Sequence, residues 1–175
     1  MDVEIPMRPV RPDDEERFVR LWPRLSPETV YRRFHSPVRW LPPETVHRFV
    51  DVDHDRREAV VAVVGDEVVG IARYDRSPDD ATTAEFAVLV EDAWQGFGLG
   101  RQLLGEVLEL AARRGVRTAT ASVQADNERT LALLRRLLPG SRFVPDSAVY
   151  AVTGPLPDPR VAVPVPTAHD RGELP

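Results

Sequence analysis

The chain contains no cysteine and no lysine, and the two absences exclude several classes of protein. Without cysteine there is no disulfide framework, no thiolate nucleophile and no cysteine-ligated zinc site. A P-loop is also excluded, because it needs a lysine directly after its glycines. All 23 basic residues are arginine, so an enzyme that acylates lysine could not modify one of its own side chains.

Long hydrophobic runs and an excess of basic charge are missing as well. The longest apolar run, residues 59–64, is far shorter than a membrane span, and the acidic start of the chain does not resemble a signal peptide. With 28 acidic residues against 23 basic ones, no broad basic face for nucleic acid is expected. The 175 residues suffice for one well-buried domain. We therefore expect a cytoplasmic protein that binds neither nucleic acid nor membrane.

Caps, apolar stripes and turn residues predict an alternating order of elements. A short strand over residues 5–10 precedes three helices that open near residues 11, 26 and 42. The predicted elements that follow are a hairpin of strands 58–64 and 67–74, a strand 82–90, a helix 98–114, a strand 116–123, a helix 127–138 and a terminal hairpin of strands 142–144 and 149–152. Five prolines in the first twelve residues of segment 155–175 predict an extended or disordered tail.

The most informative stretch is residues 85–100, where an apolar strand runs through a glycine-rich turn into a helix. Glycines let a backbone approach a ligand closely, and the first N–H groups of a helix lack intrahelical partners, so such a turn can hold a pyrophosphate. The spacing of Gly96, Gly98 and Gly100 does not match the dinucleotide-binding fingerprint. What remains is Gln-x-x-Gly-x-Gly starting at Gln95, for which a plain turn before an amphipathic helix stays an alternative.

This motif resembles the acyl-CoA signature of the GNAT N-acetyltransferases, and the predicted order of elements is similar to the GNAT fold over residues 5–153. Segments 26–34, 52–55, 69–74, 84–88 and 94–96 look like the catalytic domain of bacterial Pat-type protein lysine acetyltransferases. The resemblance implies an α/β (α+β) fold, with a mixed, mostly antiparallel central sheet flanked by helices and splayed at the acyl-CoA site. It assigns residues 1–154 to one acetyltransferase domain and leaves residues 155–175 as the tail.

The resemblance also implies the site residues. It makes acetyl-CoA the co-substrate, requires no metal, and makes Glu85 the general base, although a solvated strand glutamate is the alternative. A base is useful because a lysine amine, with a pKa of about 10.4, is almost wholly protonated at neutral pH. The implied acyl-CoA contacts are Val88, Val90, Gln95, Gly96, Phe97, Gly98, Leu99, Gly100, Arg101 and Asn127. Asn127 is equally well interpreted as a plain helix N-cap.

One departure from the family concerns the proton needed by the leaving thiolate. Many GNAT enzymes have a tyrosine at the position of Leu134. Tyr31 and Tyr150 are possible substitutes, with a core aromatic as the favoured interpretation of each. Residues 138–143 also replace the compact turn common in the family, which leaves the acceptor-side geometry open.

Two further patterns receive a structural interpretation. The aspartates at 51, 53 and 55 imitate a calcium loop without its glycine and final glutamate, so a polar loop is favoured. The arginines at positions 8, 11, 17, 20 and 24 are interpreted as a solvated face, ahead of a partner-binding face.

The sequence therefore predicts direct transfer of an acetyl group from acetyl-CoA to an amine, with a protein lysine as the favoured acceptor. Acidic loops with Asp51, Asp53, Asp55, Asp79 and Asp80 suit a cationic acceptor. A small cationic amine is the alternative acceptor. A non-catalytic module that senses acyl-CoA or binds a partner is the alternative from another class.

Overall fold

The computed structural model describes residues 5–157 and contains one sheet with helices on both faces. The strands are β1 (Met7–Pro9), β2 (Arg57–Val64), β3 (Glu67–Arg76), β4 (Thr83–Val90), β5 (Thr118–Gln124), β6 (Arg142–Asp146) and β7 (Val149–Pro155). The helices are α1 (Glu15–Leu21), α2 (Pro27–Phe34), α3 (Pro43–Val50), α4 (Leu99–Arg113) and α5 (Glu128–Leu137). Each element predicted from the sequence is present, with bounds that differ by a few residues.

The strand order in the sheet is β1-β2-β3-β4-β5-β7-β6. Neighbouring strands are antiparallel except for β4 and β5, which are parallel. That parallel pairing covers only three residue pairs, from Thr83 opposite Thr118 to Glu85 opposite Thr120. Because β4 continues to Val90 and β5 to Gln124, the two strands separate beyond Glu85. The predicted mixed, mostly antiparallel and splayed sheet is confirmed.

Alternation along the strands divides the buried side chains between two layers. On one face, Phe86 of β4 packs with the apolar stripe of α4 and with Leu131 of α5. On the other face, Leu89 packs with Phe18 of α1 and Phe49 of α3. The sheet therefore separates α4 and α5 from α1, α2 and α3.

Local sequence signals explain where several elements begin. Ser26 caps α2, because its hydroxyl accepts the Thr29 N–H at 3.1 Å, and Pro27 occupies the first helical position. Gly70 of β3 allows close packing of α4, since a Cβ at this position would lie 2.8 Å from a methyl group of Leu103. The hairpin of β2 and β3 turns at Gly65, whose φ is 61°.

The arginines near the start of the chain form ion pairs within the chain, so the prediction of a solvated face is wrong for four of the five. Three of these, Arg17, Arg20 and Arg24, reach the turn between β2 and β3, which supplies carboxylates more than forty residues away in sequence. The pairs are Arg8 with Asp14, Arg17 with Asp66, Arg20 with Asp66 and Glu67, and Arg24 with Glu67 and Glu91.

The end of the described chain corrects the predicted start of the tail. Pro155 is the last residue of β7 and pairs with Thr118 of β5. The next residue, Leu156, is buried, and its N–H donates to the Arg117 carbonyl at 2.8 Å. Residues 155 and 156 therefore belong to the domain, and the remaining tail from residue 158 lies outside the described residues. Within residues 5–157, no helix is long and apolar enough to cross a membrane.

Candidate functional site

The gap between β4 and β5 leaves main-chain groups of β4 without a partner strand. Glu91 N–H donates to Val69 and the Thr83 carbonyl accepts from Ser77, so the odd-numbered residues of β4 face β3. By alternation, the N–H and C=O groups of Val88 and the N–H of Val90 face the gap. The C=O of Val90 is already engaged, because it accepts from Gln95 Nε2 at 3.0 Å. Val88 and the Val90 N–H thus lie where the sequence predicts ligand contacts.

Five consecutive N–H groups converge at the glycine turn that follows β4. Gly96 has φ 88°, and Gly98, the N-cap of α4, has φ 82°. The N–H groups of residues 96–100 donate to no acceptor within the described part of the chain. They lie at the positive end of a 15-residue helix, an arrangement that fits an anion such as a pyrophosphate.

Gln95 and Arg101 flank these five residues and were also predicted to contact acyl-CoA, but their N–H groups already have acceptors. Gln95 N–H donates to the Asp92 carbonyl at 3.3 Å, and Arg101 N–H donates to the Gly98 carbonyl at 3.0 Å. Their backbone donors are therefore used by the turn itself. The side chain of Gln95 also bonds within the protein, since Nε2 donates to Thr29 Oγ1 at 3.0 Å.

A hydrogen-bond network joins this turn to the start of α2. The Asp92 carboxylate accepts from Ser26 N at 2.9 Å, from Ser26 Oγ at 2.6 Å and from Thr29 Oγ1 at 2.9 Å. Burial by itself would raise the pKa of Asp92, but these hydrogen bonds hold it below its ordinary value. Sequence reasoning missed the network, because Asp92 and Ser26 are 66 positions apart and no local motif joins them.

Asn127 caps α5, as one of its two predicted roles requires. Its Oδ1 accepts the Thr130 N–H at 3.2 Å and a weak hydrogen bond from Arg32 at 3.4 Å. Its side-chain NH₂ group donates to no acceptor among residues 5–157. The N-cap role is therefore confirmed, and the contact with CoA stays a prediction.

Glu85 lies at the mouth of the gap, in the last residue pair that holds β4 and β5 together. Its side chain is exposed on the face of the sheet that carries α1, α2 and α3. The residue paired with Glu85 on the adjacent strand β3 is Asp75. The Asp75 carboxylate is bound by Arg73 through two hydrogen bonds of 2.9 and 2.8 Å. Glu85 makes no ion pair or hydrogen bond within the described residues.

Arg33 of α2 is a further charged group at this cleft, and sequence reasoning gave it no role. Its guanidinium lies 5.1 Å from the centre of the Phe34 ring. Burial lowers the pKa of Arg33 and the charge of Arg73 lowers it further, whereas Glu85 and Asp75 act in the opposite direction. Only the approach of α2 to β3 and β4 brings Arg33 near Glu85, so no local sequence signal could reveal it.

The positions considered for a general acid lie in different environments. Leu134 is buried in the core, so nothing polar replaces the family tyrosine at that position. Tyr150 packs against the same core, as predicted, but Tyr31 is 46% exposed and the core interpretation is wrong for it.

The predicted polar loop is confirmed, and its acids are used by the chain. The Asp53 carboxylate accepts the N–H groups of Asp55 and Arg57, and the Asp80 carboxylate accepts from Thr82. These contacts weaken the argument that the acidic loops bind a cationic acceptor. The part of the chain that the structure describes contains no group of three potential metal-ligating side chains.

Comparison with known proteins agrees with this geometry. The model of the acetyltransferase (GNAT) family matches residues 15–138. Acetyltransferase PA5475 of Pseudomonas aeruginosa is 33% identical over 115 residues, which cover 63% of this chain and 61% of that protein. Acetyltransferase Pat of Mycolicibacterium smegmatis is 35% identical over 136 residues, which cover 75% of this chain and 40% of that protein.

Among solved structures, the GNAT domain of S. lividans PAT is similar with a TM-score of 0.79 and 31% identity, over 86% of this chain and 89% of that one. The chain belongs to the GNAT family, whose members are acyl-CoA-dependent N-acetyltransferases. Its expected similarity to Pat-type catalytic domains is confirmed. The chain spans less than two thirds of the length of either curated relative.

Proposed function

We propose that the protein transfers an acetyl group from acetyl-CoA to the ε-amine of a protein lysine, with Glu85 as general base. The observation that carries the proposal is the place of Glu85. Its exposed carboxylate stands where β4 and β5 separate, beside the main-chain groups that face the gap. A base at this point lies between a donor bound in the gap and an acceptor arriving from the face that carries α2.

The residues that would hold acetyl-CoA are mostly backbone donors. The N–H groups of residues 96–100 would bind the pyrophosphate, and the groups of Val88 would bind the amide-rich arm that leads to the thioester. The NH₂ group of Asn127 is a further donor toward this ligand. Acetyl-CoA supplies the acetyl group already activated as a thioester.

Glu85 makes the acceptor nucleophilic by removing a proton from it, directly or through one water. The amine nitrogen forms a bond to the acetyl carbon, the bond from that carbon to sulfur breaks, and the sulfur leaves as a thiolate. Glu85 passes this first proton to solvent. The nitrogen, which still carries two hydrogens after it has bonded to the acetyl carbon, loses one of them to Glu85 or water, and water or the exposed Tyr31 hydroxyl gives a proton to the thiolate. No covalent enzyme intermediate is needed.

The similarity to acetyltransferases named Pat and PAT supports a protein acceptor. To test it, the purified protein is offered acetyl-CoA with a lysine-containing protein mixture and, separately, with a panel of small amines. CoA release that requires the proteins, together with acetyl-lysine in them, is expected. Release with small amines alone would move the assignment to metabolite acetylation, and tight acetyl-CoA binding without turnover would favour the sensor.

Replacing Glu85 by Gln tests the base. We expect kcat/KM at neutral pH to fall by about 100-fold or more, with acetyl-CoA affinity unchanged, because Gln keeps the shape but cannot accept the proton. The loss should shrink toward pH 10, where the acceptor amine deprotonates by itself. Glu109→Gln, an exposed change on α4, is the control. Unchanged turnover in Glu85→Gln would rule out the assignment.

A further inference from the structure

The arrangement of charges points to a substrate preference. We propose that Arg33 binds an anionic group next to the acceptor amine, so that the enzyme favours lysines flanked by acidic residues. This inference rests on the proposed function, because it assumes that the amine approaches Glu85. It concerns the acceptor side alone and requires nothing further of the acyl-CoA site.

Two of the four charged groups near Glu85 form an ion pair with each other, and the other two have no ion-pair partner among the described residues. Asp75 and Arg73 neutralise each other through two hydrogen bonds, and Arg73 also donates to the Arg48 carbonyl of α3 at 3.0 Å. The remaining two charges are Glu85 and Arg33. Neither forms an ion pair with any described residue, although the charge of Glu85 acts on Arg33. Because α2 packs on β4, on the face of the sheet where the Glu85 side chain is exposed, an anion bound to Arg33 would lie on the same face as Glu85.

Arg32, the residue before Arg33, shows that the lack of an ion-pair partner is not a general property of the arginines of α2. Arg32 is paired with Glu28, one turn earlier on the same helix, and it also reaches Asn127. Arg33 has no such partner among the described residues, and the carboxylate of Asp75, whose charge acts on Arg33, is bound by Arg73.

Aromatic packing holds Arg33 in place. The Phe34 ring under its guanidinium contacts Trp22 at 5.7 Å and Phe49 at 6.3 Å between ring centres. A guanidinium fixed on a ring keeps its donors directed outward and loses little freedom when it binds a carboxylate. Because Arg33 is partly buried, a carboxylate there would form stronger hydrogen bonds than on an open surface.

An acceptor that pairs with both Glu85 and Arg33 carries an amine and a carboxylate a few ångströms apart. The ammonium approaches Glu85 and the carboxylate approaches Arg33. A protein lysine beside Glu or Asp has this chemistry. A purely cationic acceptor, such as a polyamine, would place a second positive charge against Arg33 and be disfavoured.

The test uses N-terminally blocked peptides with one lysine, flanked on both sides by Glu in one peptide and by Gln in the other. We expect the wild type to favour the Glu peptide about tenfold in kcat/KM, a ratio typical of one charge-assisted contact. Arg33→Gln should bring the ratio close to one, and Arg33→Lys should restore part of it. Arg136→Gln, an exposed change on α5, should keep the full ratio. In the wild type the preference should shrink as salt rises.

The outcomes separate this inference from the proposed function. If both peptides are acetylated equally by the wild type, or if the preference survives in Arg33→Gln, the role of Arg33 is refuted while lysine acetylation stands. If no peptide reacts, the ratio of 4-aminobutyrate to butylamine tests Arg33 in the same way and lysine acetylation fails. If no amine reacts, both proposals fail. The ratio of kcat/KM between the two peptides is measured on the wild type, so this part of the test does not depend on whether any variant folds.

Discussion

The donor side and the acceptor side of the site are built from different parts of the chain. The proposed donor side consists of main-chain groups of Val88, Val90 and residues 96–100, almost all within one short segment. The acceptor side consists of side chains that α2, β3 and β4 bring together. Backbone sites depend on local conformation, whereas side-chain sites depend on long-range packing. The two sides should therefore respond differently to mutation, and three changes test this.

The largest effect is expected at Asp14, which joins the start of α1 to β1 on the face of the sheet that also carries α2. Its fully buried carboxylate accepts from Arg8 at 2.8 and 2.7 Å, from Arg11 N–H at 2.8 Å and from Arg17 at 3.2 Å. Asp14→Asn should lower the free energy of unfolding at pH 7 by about 2 kcal/mol, because a buried ionic network loses its anion. The matched control is Asp13→Asn, since Asp13 is 73% exposed.

The pH dependence of this effect has a definite sign. Burial would raise the pKa of Asp14, but the hydrogen bonds from Arg8 and Arg11 lower it below its ordinary value. A folded-state pKa below the unfolded one gives stability that is present above about pH 4 and is lost as pH falls through the folded value. The free energy of unfolding is measured in denaturant at pH 7 and at pH 3. Its difference between wild type and Asp14→Asn should be smaller at pH 3 than at pH 7. An equal difference at both values would contradict the assignment.

The second effect tests the donor side through backbone conformation alone. Gly98 has φ 82°, and a Cβ there would meet no atom within 4 Å, so Gly98→Ala adds a conformational cost without a clash. We expect acetyl-CoA affinity, measured by calorimetry, to fall about tenfold. Gly105 lies within α4, where a Cβ would also meet no atom within 4 Å, and its φ is not positive. Gly105→Ala should therefore leave the affinity for acetyl-CoA unchanged. Equal affinities in the two variants would show that the turn does not hold the ligand.

The smallest effect concerns the link between the two sides. Thr29 Oγ1 donates to Asp92 and accepts from Gln95, so Thr29→Val removes two of the hydrogen bonds between α2 and the turn and leaves those from Ser26 to Asp92. We expect KM for acetyl-CoA and KM for the acceptor each to rise about threefold. Thr45 occupies the same place in the identical stretch Pro-Glu-Thr-Val at the start of α3, and Thr45→Val should change neither. A change in only one KM would show that the link does not join the two sides.

The fold was largely predictable because its signals are local. Ser26 before Pro27, the turn at Gly65 and the glycines before α4 each determine an element from within a few residues. The glycine turn proposed to bind the donor is local in the same way, since it lies within residues 95–101. The roles of Arg33 and Asp92 were not predictable, because Glu85 and Ser26, the residues that they approach, lie far away in sequence and come near only after the sheet and α2 have packed.

The misplaced start of the tail has an equally physical cause. Proline ordinarily argues against a strand between two neighbours, since it cannot donate to the ladder. Pro155 is tolerated because β6 begins at Arg142, opposite Thr153, so no strand faces the nitrogen of Pro155 on that side. The adjacent Leu156 turns its N–H toward Arg117 instead. Composition alone cannot reveal where a neighbouring strand starts.

The separation of β4 and β5 has a consequence for association between molecules. An unpaired strand edge at the rim of a sheet is a template for aggregation, and proteins usually protect it with charges, proline or a short length. The open stretch of β4 lies in the interior of a seven-stranded sheet, where β5 and its neighbours stand close by. A thin, flexible ligand can enter this slot, whereas the strand of another protein, with side chains on both faces, is much bulkier. The fold can thus keep a hydrogen-bonding edge free for its substrate while exposing little of it to other chains.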